Sequence, residues 1–540
     1  MLAHPQPVSG KREPEAGSPR NVLSPLRSVA ARACARAAGA PLIPGNSVQL
    51  LKDAKENYPL WLAAIAGATR TIHFESYIIH DDECGRHFAK ALGAKARAGV
   101  RVRVLYDWLG ALTATSRRFW QDLRKAGVEV RCFNPPRFDS PLGWLSRDHR
   151  KVLVVDGRLG FVTGLCVGQR WVGDPAHSLE AWRDTGVAIR GPAVADIEQA
   201  FAQAWATAGP PLPEEELPGR EDLPPAGTVA LRVIASEPST AGLYRLDTLI
   251  AAGACRSLWL TDAYFVGTTA YTQALVAAAR DDVDVRLLVP GSSDLVLIRA
   301  LSRAGYRPLL EGGVRVFEWN GAMLHAKTAV ADGRWARVGS SNLNPSSWLG
   351  NWELDVAVED EGFARAMEAM FLQDLEQATE IVLSAGRQVQ ASRAARRQSR
   401  RGHSQGSAGR AVAGALGIGN AVGAALTNRR TLGPAEAKLM MSGGLTLLVV
   451  AVIAVFWPRL LTVPLAVFSL WVAVGLLGRA YKLHIAGEKW QHLLTRGRTS
   501  AQKAAASPAV CRASGRGFVA STSHYRSTGK TLSARRWGIC

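Results

Sequence analysis

The chain repeats itself, and the repeat limits what it can fold into. The stretch HRKVLVVDGR beginning at His149 returns as HAKTAVADGR beginning at His325. Composition alone would supply about 0.1 such His-x-Lys-x4-Asp matches per chain. The surroundings repeat as well: LRKAGVEVRCFN before the first copy answers to LLEGGVRVFEWN before the second, and TIHFESYII and VRVRVLYD answer to SLWLTDAYFV and VDVRLLVPG. In each half a helical stretch, GRHFAKALGAKARAG or YTQALVAAARDD, separates the two strands. Duplicated strand–helix–strand units predict an α/β fold of two pseudo-symmetric lobes. Each lobe is expected to hold a mixed or mostly parallel sheet flanked by helices. The Pro-rich, acidic stretch from Gly209 to Gly227 is the natural seam between them.

Composition divides the rest. Residues 1–40 read as a disordered basic arm, 41–228 and 229–386 as the lobes, and 387–437 as a basic linker. Residues 438–482 read as a membrane hairpin and 483–540 as a basic, mostly disordered tail. The formal charge of +20 invites a nucleic-acid reading, yet it sits in the outer segments: Arg387–Arg430 holds nine arginines and no acid, and Gln491–Cys540 nine basic residues and no acid. What remains is close to neutral, so an anionic membrane surface is the expected partner and nucleic acid is not. The seven cysteines show neither a CxxC pair nor a metal-ligand spacing, which argues against a disulfide framework. Leu439–Trp457 is uncharged over 19 residues, and Leu460–Leu477 follows after Pro458 and Arg459. A helix of the first length spans about 28 Å. The pair predicts a transmembrane helical hairpin, and Lys/Arg on both flanks puts both ends in the cytoplasm.

The repeated triplet carries the chemistry. In a strand, residues i and i+2 share a face, so His149 points with Lys151 and His325 with Lys327. Lysine supplies a cation for the oxygens of a phosphate, and histidine can attack phosphorus or move a proton near neutral pH. Two such sets brought together give one imidazole for each side of an in-line displacement. Asp156 and Asp332 complete the motifs. Each precedes Gly-Arg after an apolar run, so their expected work is to hold a tight turn or an ion pair rather than to act on substrate. Past the second triplet, GSSN offers Gly339, Ser340 and Asn342 as phosphate donors. Asp184 in AWRDTGV, 35 residues after His149, and Glu353 in NWELDV, 28 after His325, are candidates to orient the histidines. Tyr77 and Tyr264 occupy matching places, where core packing is the expected role ahead of lining the pocket, and His73, His80 and His87 are expected to be ordinary packing or surface residues.

These features resemble the phospholipase D superfamily, and within it the bacterial cardiolipin synthases. Both HxKxxxxD motifs, GSSN, WRDTGVAIRGPAVADIEQAF, DAYFV and GAMLHAK carry the likeness, over roughly residues 42–385. The resemblance implies one site between two lobes, no metal or other cofactor, and a phosphohistidine intermediate resolved by an alcohol. It implies phosphatidylglycerol as donor and acceptor, with cardiolipin and glycerol as products, at the bacterial inner membrane with the lobes in the cytoplasm. It assigns His149 as nucleophile, His325 as general acid and base, and Asp184 and Glu353 as histidine-orienting carboxylates. One departure stands out: Cys166 in VTGLC occupies the place of Asn342, so Lys151 and the backbone of Thr163 and Gly164 are expected to compensate for a poor donor. Hydrolysis, or transfer to another alcohol, uses the same chemistry. A nuclease or a non-catalytic membrane scaffold fits less well. Oligomeric state is not encoded in any of these features.

Overall fold

The computed structural model describes residues 25–137, 145–294, 296–383 and 389–391, together with individual helical residues between Leu445 and Tyr481. The first half contributes strands β1 (Ile43–Lys52), β2 (Thr71–Ser76), β3 (Arg101–Asp107), β4 (Glu129–Phe133), β5 (Lys151–Val155), β6 (Leu159–Thr163) and β7 (Thr185–Arg190). The second contributes β8 (Val229–Ser236), β9 (Ser257–Thr261), β10 (Asp284–Pro290), β11 (Arg315–Trp319), β12 (Thr328–Ala331), β13 (Trp335–Gly339) and β14 (Glu353–Glu359). They hydrogen-bond in the order β4-β3-β2-β5-β6-β7-β1 and then β8-β14-β13-β12-β9-β10-β11, so the second half mirrors the first across the β1–β8 pair. Strands β15 (Ala378–Leu383) and β16 (Val389–Ala391) extend the second lobe's outer edge.

The sheet is mixed, but the expectation of mostly parallel pairing is corrected. Only β2–β3–β4 and β9–β10–β11 run parallel, and the other pairs are antiparallel. Parallel neighbours need a crossover helix, and Glu83–Arg97 and Thr269–Arg280 provide it. The triplet strands instead turn back at once. Asp156 and Gly157 have φ of 55° and 66°, and Asp332 and Gly333 have 55° and 64°. Each pair forms the centre of a type I′ turn, closed by Arg158 N–H on the Val155 carbonyl (3.1 Å) and Arg334 N–H on the Ala331 carbonyl (3.1 Å).

The two lobes share a core. Val152, Val154, Val162 and Val187 of the first pack with Val338, Leu354 and Val356 of the second, covered by helices Ala193–Thr207 and Glu361–Glu376. Fully burying a side chain of this size contributes roughly 1.5–3 kcal/mol, so the lobe contact is part of the fold's stability. The seam from Gly209 to Gly227 is strapped down: Leu212 and Leu223 are buried, and the Glu216 carboxylate accepts from Arg101 and Arg103, both at 2.6 Å.

The disordered arm is corrected in its second part. Pro25–Ala38 is a helix whose end joins the second lobe's core through Ala38 and Ala40, and Arg232 donates to the Ala40 carbonyl (3.1 Å). Its Arg/Ala composition resembles a polar tail, but the small alanines let the helix pack closely. Apart from Val389–Ala391, the linker and the tail lie outside the described residues, as does most of the first run of the expected membrane hairpin, whereas residues 462–475 of the second run are helical. Among the described residues no helix is long and apolar enough to cross a membrane.

Candidate active site

Each triplet histidine sits just before its strand, in extended chain that pairs with the other lobe. His149 N–H donates to the Trp352 carbonyl (2.9 Å), and Trp352 N–H donates to the Arg147 carbonyl (2.8 Å). On the opposite side, His325 N–H donates to the Arg183 carbonyl (2.7 Å), and Arg183 N–H to the Met323 carbonyl (2.8 Å). Trp352 and Arg183 immediately precede Glu353 and Asp184. The backbone pairing therefore delivers each candidate carboxylate to the histidine of the other half. His149 Nδ1 lies 2.9 Å from Glu353 Oε2, and His325 Nδ1 lies 2.7 Å from Asp184 Oδ2. Offsets counted along the chain set Asp184 after His149 and Glu353 after His325, but the contacts cross.

With Nδ1 committed to a carboxylate, Nε2 is the ring atom left to meet a ligand. Burial pushes the His149 ring down to about 3 against the pull of Glu353, and Lys151 and Lys327 add to the depression. His325 is lowered by burial and by Lys327, with Asp184 opposing. Burial alone would raise Glu353, but His149, Lys151 and the Ser340 hydroxyl hold it down at about 2. Asp184 likewise lies below the ordinary carboxylate range despite burial, through His325, Lys327 and the Trp171 indole. Burial brings Lys327 down to about 8, Asp184 opposes, and Lys151 of the other lobe lowers it further. Both rings are thus less basic than a free imidazole, and each lobe's lysine is felt by the other lobe's histidine: one site, not two.

The lysines lie beside their own histidines. Lys151 Nζ donates to the His149 carbonyl and Lys327 Nζ to the His325 carbonyl. Below them stand the matching tyrosines, read from sequence as core and here part of the site. Tyr77 meets the His149 ring edge-on at 5.0 Å with Lys151 Nζ 5.3 Å from its centroid, and Tyr264 meets the His325 ring at 6.0 Å with Lys327 Nζ at 5.9 Å. Burial pushes the Tyr77 hydroxyl up to about 12.

Other expected donors are otherwise engaged. Ser340 Oγ donates to Glu353 Oε2 (2.6 Å), so it holds the carboxylate that holds His149. Gly164 N–H donates to the Thr185 carbonyl (3.0 Å) and so is not offered to a phosphate, and Thr163 Oγ1 accepts from Leu165 N–H (2.9 Å) while donating to the same Thr185 carbonyl (3.4 Å). Gly164 is needed for another reason: a Cβ there would stand 2.2 Å from Asp184 Oδ1. Asn342 fits the donor role best, because its Nδ2 amide is uncommitted to Glu353 or Asp184, while its Oδ1, an acceptor, is buried with no partner among the described residues. Cys166 is buried at the matching place.

Asp156 and Asp332, counted with the motif, stand away from the site. Five residues of strand separate each from its lysine, roughly 17 Å. Asp156 accepts from Arg70 N–H (2.7 Å), Thr71 N–H (2.9 Å) and Thr69 N–H (2.9 Å), and Asp332 from Arg256, Ser257 and Cys255 N–H at 2.7, 3.0 and 3.0 Å. Each caps the start of the neighbouring strand, β2 or β9. Sequence reasoning also passed over Trp171, whose indole donates to Asp184 Oδ2 (3.0 Å), and Asn351, whose amide donates to Glu353 Oε1 (3.1 Å). It missed Arg183 too, whose buried guanidinium reaches Asp374 at 2.8 Å and Asp53 at 3.2 Å. The paired strings WRD and NWE were the available signal.

A family model described as cardiolipin synthase, PLD-like domain, matches residues 61–205 and 248–375, one match in each half. The chain is 36% identical over 351 residues to cardiolipin synthase A of Pseudomonas fluorescens strain SBW25, covering 63% of this chain and 71% of that protein. It is 35% identical over 362 residues to cardiolipin synthase A of Pseudomonas entomophila strain L48, covering 65% and 73%. In fold it is similar to the crystal structure of a phosphatidylserine synthase from Haemophilus influenzae Rd KW20, with a TM-score of 0.53 at 14% identity over 65% of this chain and 92% of that one. With a match in each half, and relatives that span the seam, the chain belongs to the cardiolipin synthase family of phospholipase D-like phosphatidyltransferases.

Proposed function

We propose that the protein transfers a phosphatidyl group from one phosphatidylglycerol to another, giving cardiolipin and glycerol. The observation that carries this reading is the crossed pair of histidine–carboxylate contacts, His149–Glu353 and His325–Asp184. His149, neutral because burial depresses it, attacks phosphorus through Nε2. The bond to the glycerol oxygen breaks as His325 Nε2 gives that oxygen a proton. Binding of the anionic phosphodiester beside His325 favours its charged form and so supplies that proton. Lys151, Lys327 and Asn342 hold the phosphoryl oxygens, with Glu353 and Asp184 fixing tautomer and ring orientation. In the second half-reaction His325 takes the proton from the hydroxyl of a second phosphatidylglycerol. That oxygen displaces His149 and completes the exchange. Water in place of the alcohol would give phosphatidate.

The lipid substrate calls for membrane attachment. We assign it to the uncharged runs Leu439–Trp457 and Leu460–Leu477, with the lobes on the cytoplasmic side of the bacterial inner membrane, because Lys/Arg flank both ends. Expression in cells lacking cardiolipin synthases, alongside His149→Ala and His325→Ala, tests the whole reading. Cardiolipin should appear with the wild-type chain only. Equal lipid profiles in all three strains overturn it. Membrane fractionation of a chain ending at residue 386 tests the attachment: it should leave the membrane pellet at high salt, where the full chain stays.

A further inference from the structure

The two helices that cover the outer face of the first lobe are basic out of proportion to the neutral body. Glu83–Arg97 and Arg117–Lys125 together carry eight Lys/Arg and two acids. Their counterparts in the second lobe, Thr269–Arg280 and Val296–Glu311, carry four and one, and there Arg303 and Arg307 are spent on Glu318 (2.7 Å) and Glu311 (3.0 Å). In the first lobe Lys90, Arg97 and Arg117 have no carboxylate at ion-pair distance among the described residues, and Arg118 reaches Asp122 only at 3.8 Å. Between the two helices runs a groove of about 460 Å³ lined by four cations, Arg86, Lys90, Arg97 and Arg118, against two carboxylates, Asp122 and the Asp81 that pairs with Arg86 (2.9 Å), over a floor that includes Phe119.

The groove is tied to the site. The first helix follows the loop after β2, which carries Tyr77, and the second, which follows β3, starts against that same loop. Ser116, the cap of the second helix, donates to Asp81 Oδ2 (2.5 Å), and Asp82, the cap of the first, accepts from Gln169 N–H (2.7 Å). Next to these caps stand two apolar side chains half in solvent, Leu112 (47% exposed) and Val172 (49%), and Val172 follows Trp171, the indole bonded to Asp184. A basic groove ending in exposed leucine and valine at the edge of a lipid-handling site matches an anionic bilayer, with phosphates for the arginines and lysine and an apolar boundary for the two side chains.

We propose that this face is a bilayer-docking surface: helices Glu83–Arg97 and Arg117–Lys125 lie on anionic headgroups, and Leu112 and Val172 dip beneath them at the mouth of the site. The proposal rests on the phosphatidyltransferase reading and adds where the substrate enters. It is tested with the full-length protein carrying Arg86→Ala, Lys90→Ala, Arg97→Ala and Arg118→Ala together. Transfer is measured on vesicles of phosphatidylcholine with increasing phosphatidylglycerol, and on short-chain phosphatidylglycerol kept as monomers. Flotation of both proteins with the same vesicles is measured in parallel. The variant should be roughly tenfold slower on vesicles at low ionic strength, with the gap closing near 1 M salt, where charges are screened within about 3 Å. It should match wild type on monomers, and its salt-sensitive flotation should fall. A Leu112→Ser, Val172→Ser variant should lose vesicle activity at every salt concentration. The proposal is overturned by equal vesicle rates and equal flotation, by equal losses on vesicles and monomers, or by lost binding to duplex DNA with vesicle binding intact. If no protein transfers on either substrate, the function reading fails, and flotation still decides the docking surface.

Discussion

The two lobes were built from one plan and differ where it counts. In the second, Ser340 and Asn342 follow the triplet strand. In the first, the same places hold Gly164 and Cys166. Glu353, which orients His149, is held by Ser340 and Asn351, whereas Asp184, which orients His325, is held by the Trp171 indole and by Thr185 N–H (2.9 Å). Beneath His149, Glu75 and Asp148 are buried together. Burial and the Asp148 charge push the Glu75 carboxyl well above the ordinary carboxylate range. In the second lobe Leu324 replaces Asp148. The comparison teaches that duplication preserved the placement of the imidazoles while each half was left dependent on the other for its orienting carboxylate.

The strongest way to break that view is to remove the crossed contacts. Glu353→Gln and Asp184→Asn should each lower kcat by about 10^3- to 10^4-fold, and the double variant should cost little more than either, since both serve one site. Fully additive losses in steady-state assays would mean that the lobes act separately. Next comes the interlobe anchor. Asp374→Asn leaves Arg183 buried without its closest partner and should destabilise the protein by about 3–5 kcal/mol in urea unfolding. Asp374→Asn with Arg183→Met should recover part of that.

Titration sharpens the comparison of the two cations and rings. Lys327 is charged below about pH 8 and loses its proton above it, so kcat/KM should fall as pH rises through that value. Lys327→Arg should carry activity to higher pH. The His149 ring, already neutral, should add no inflection near its ordinary value of about 6.5. The turn aspartates should affect stability only. Asp156→Ala and Asp332→Ala each strip a carboxylate from several backbone N–H groups at a positive φ, for roughly 1–3 kcal/mol with kcat unchanged. Burial would raise Asp156, but the N–H groups of Thr71, Arg70 and Thr69 outweigh it and hold it low. A depressed carboxyl stabilises the fold above its unfolded value of about 4, so that stability should drain away as pH falls below it. The smallest effect is expected from Cys166→Asn, which gives the first lobe the amide of the second and should tighten inorganic phosphate inhibition by about tenfold.

Much of the site was legible because its signals are local. A His and Lys two apart on a strand, an Asp-Gly turn, and a repeat of both need no knowledge of the rest of the chain. The tyrosines escaped because an aromatic after a buried strand looks the same whether it faces a core or a ligand. The engagement of Thr163, Gly164 and Ser340 with Thr185 and Glu353 has no local signal, since whether a hydroxyl or N–H is claimed by another acceptor depends on distant chain. The mostly parallel sheet failed for a similar reason: the helices between strands were plain, while the share of hairpins was not.

By itself the sequence determined the duplication, the strand and helix order, the turn chemistry, and the four residues His149, Lys151, His325 and Lys327 that come together in the candidate site. Tertiary structure alone decided that Glu353 meets His149 and Asp184 meets His325. The physical reason is distance along the chain. A turn or a strand face is set by neighbours a few residues apart, whereas a carboxylate 204 residues from its imidazole is chosen by how two sheets pair and pack.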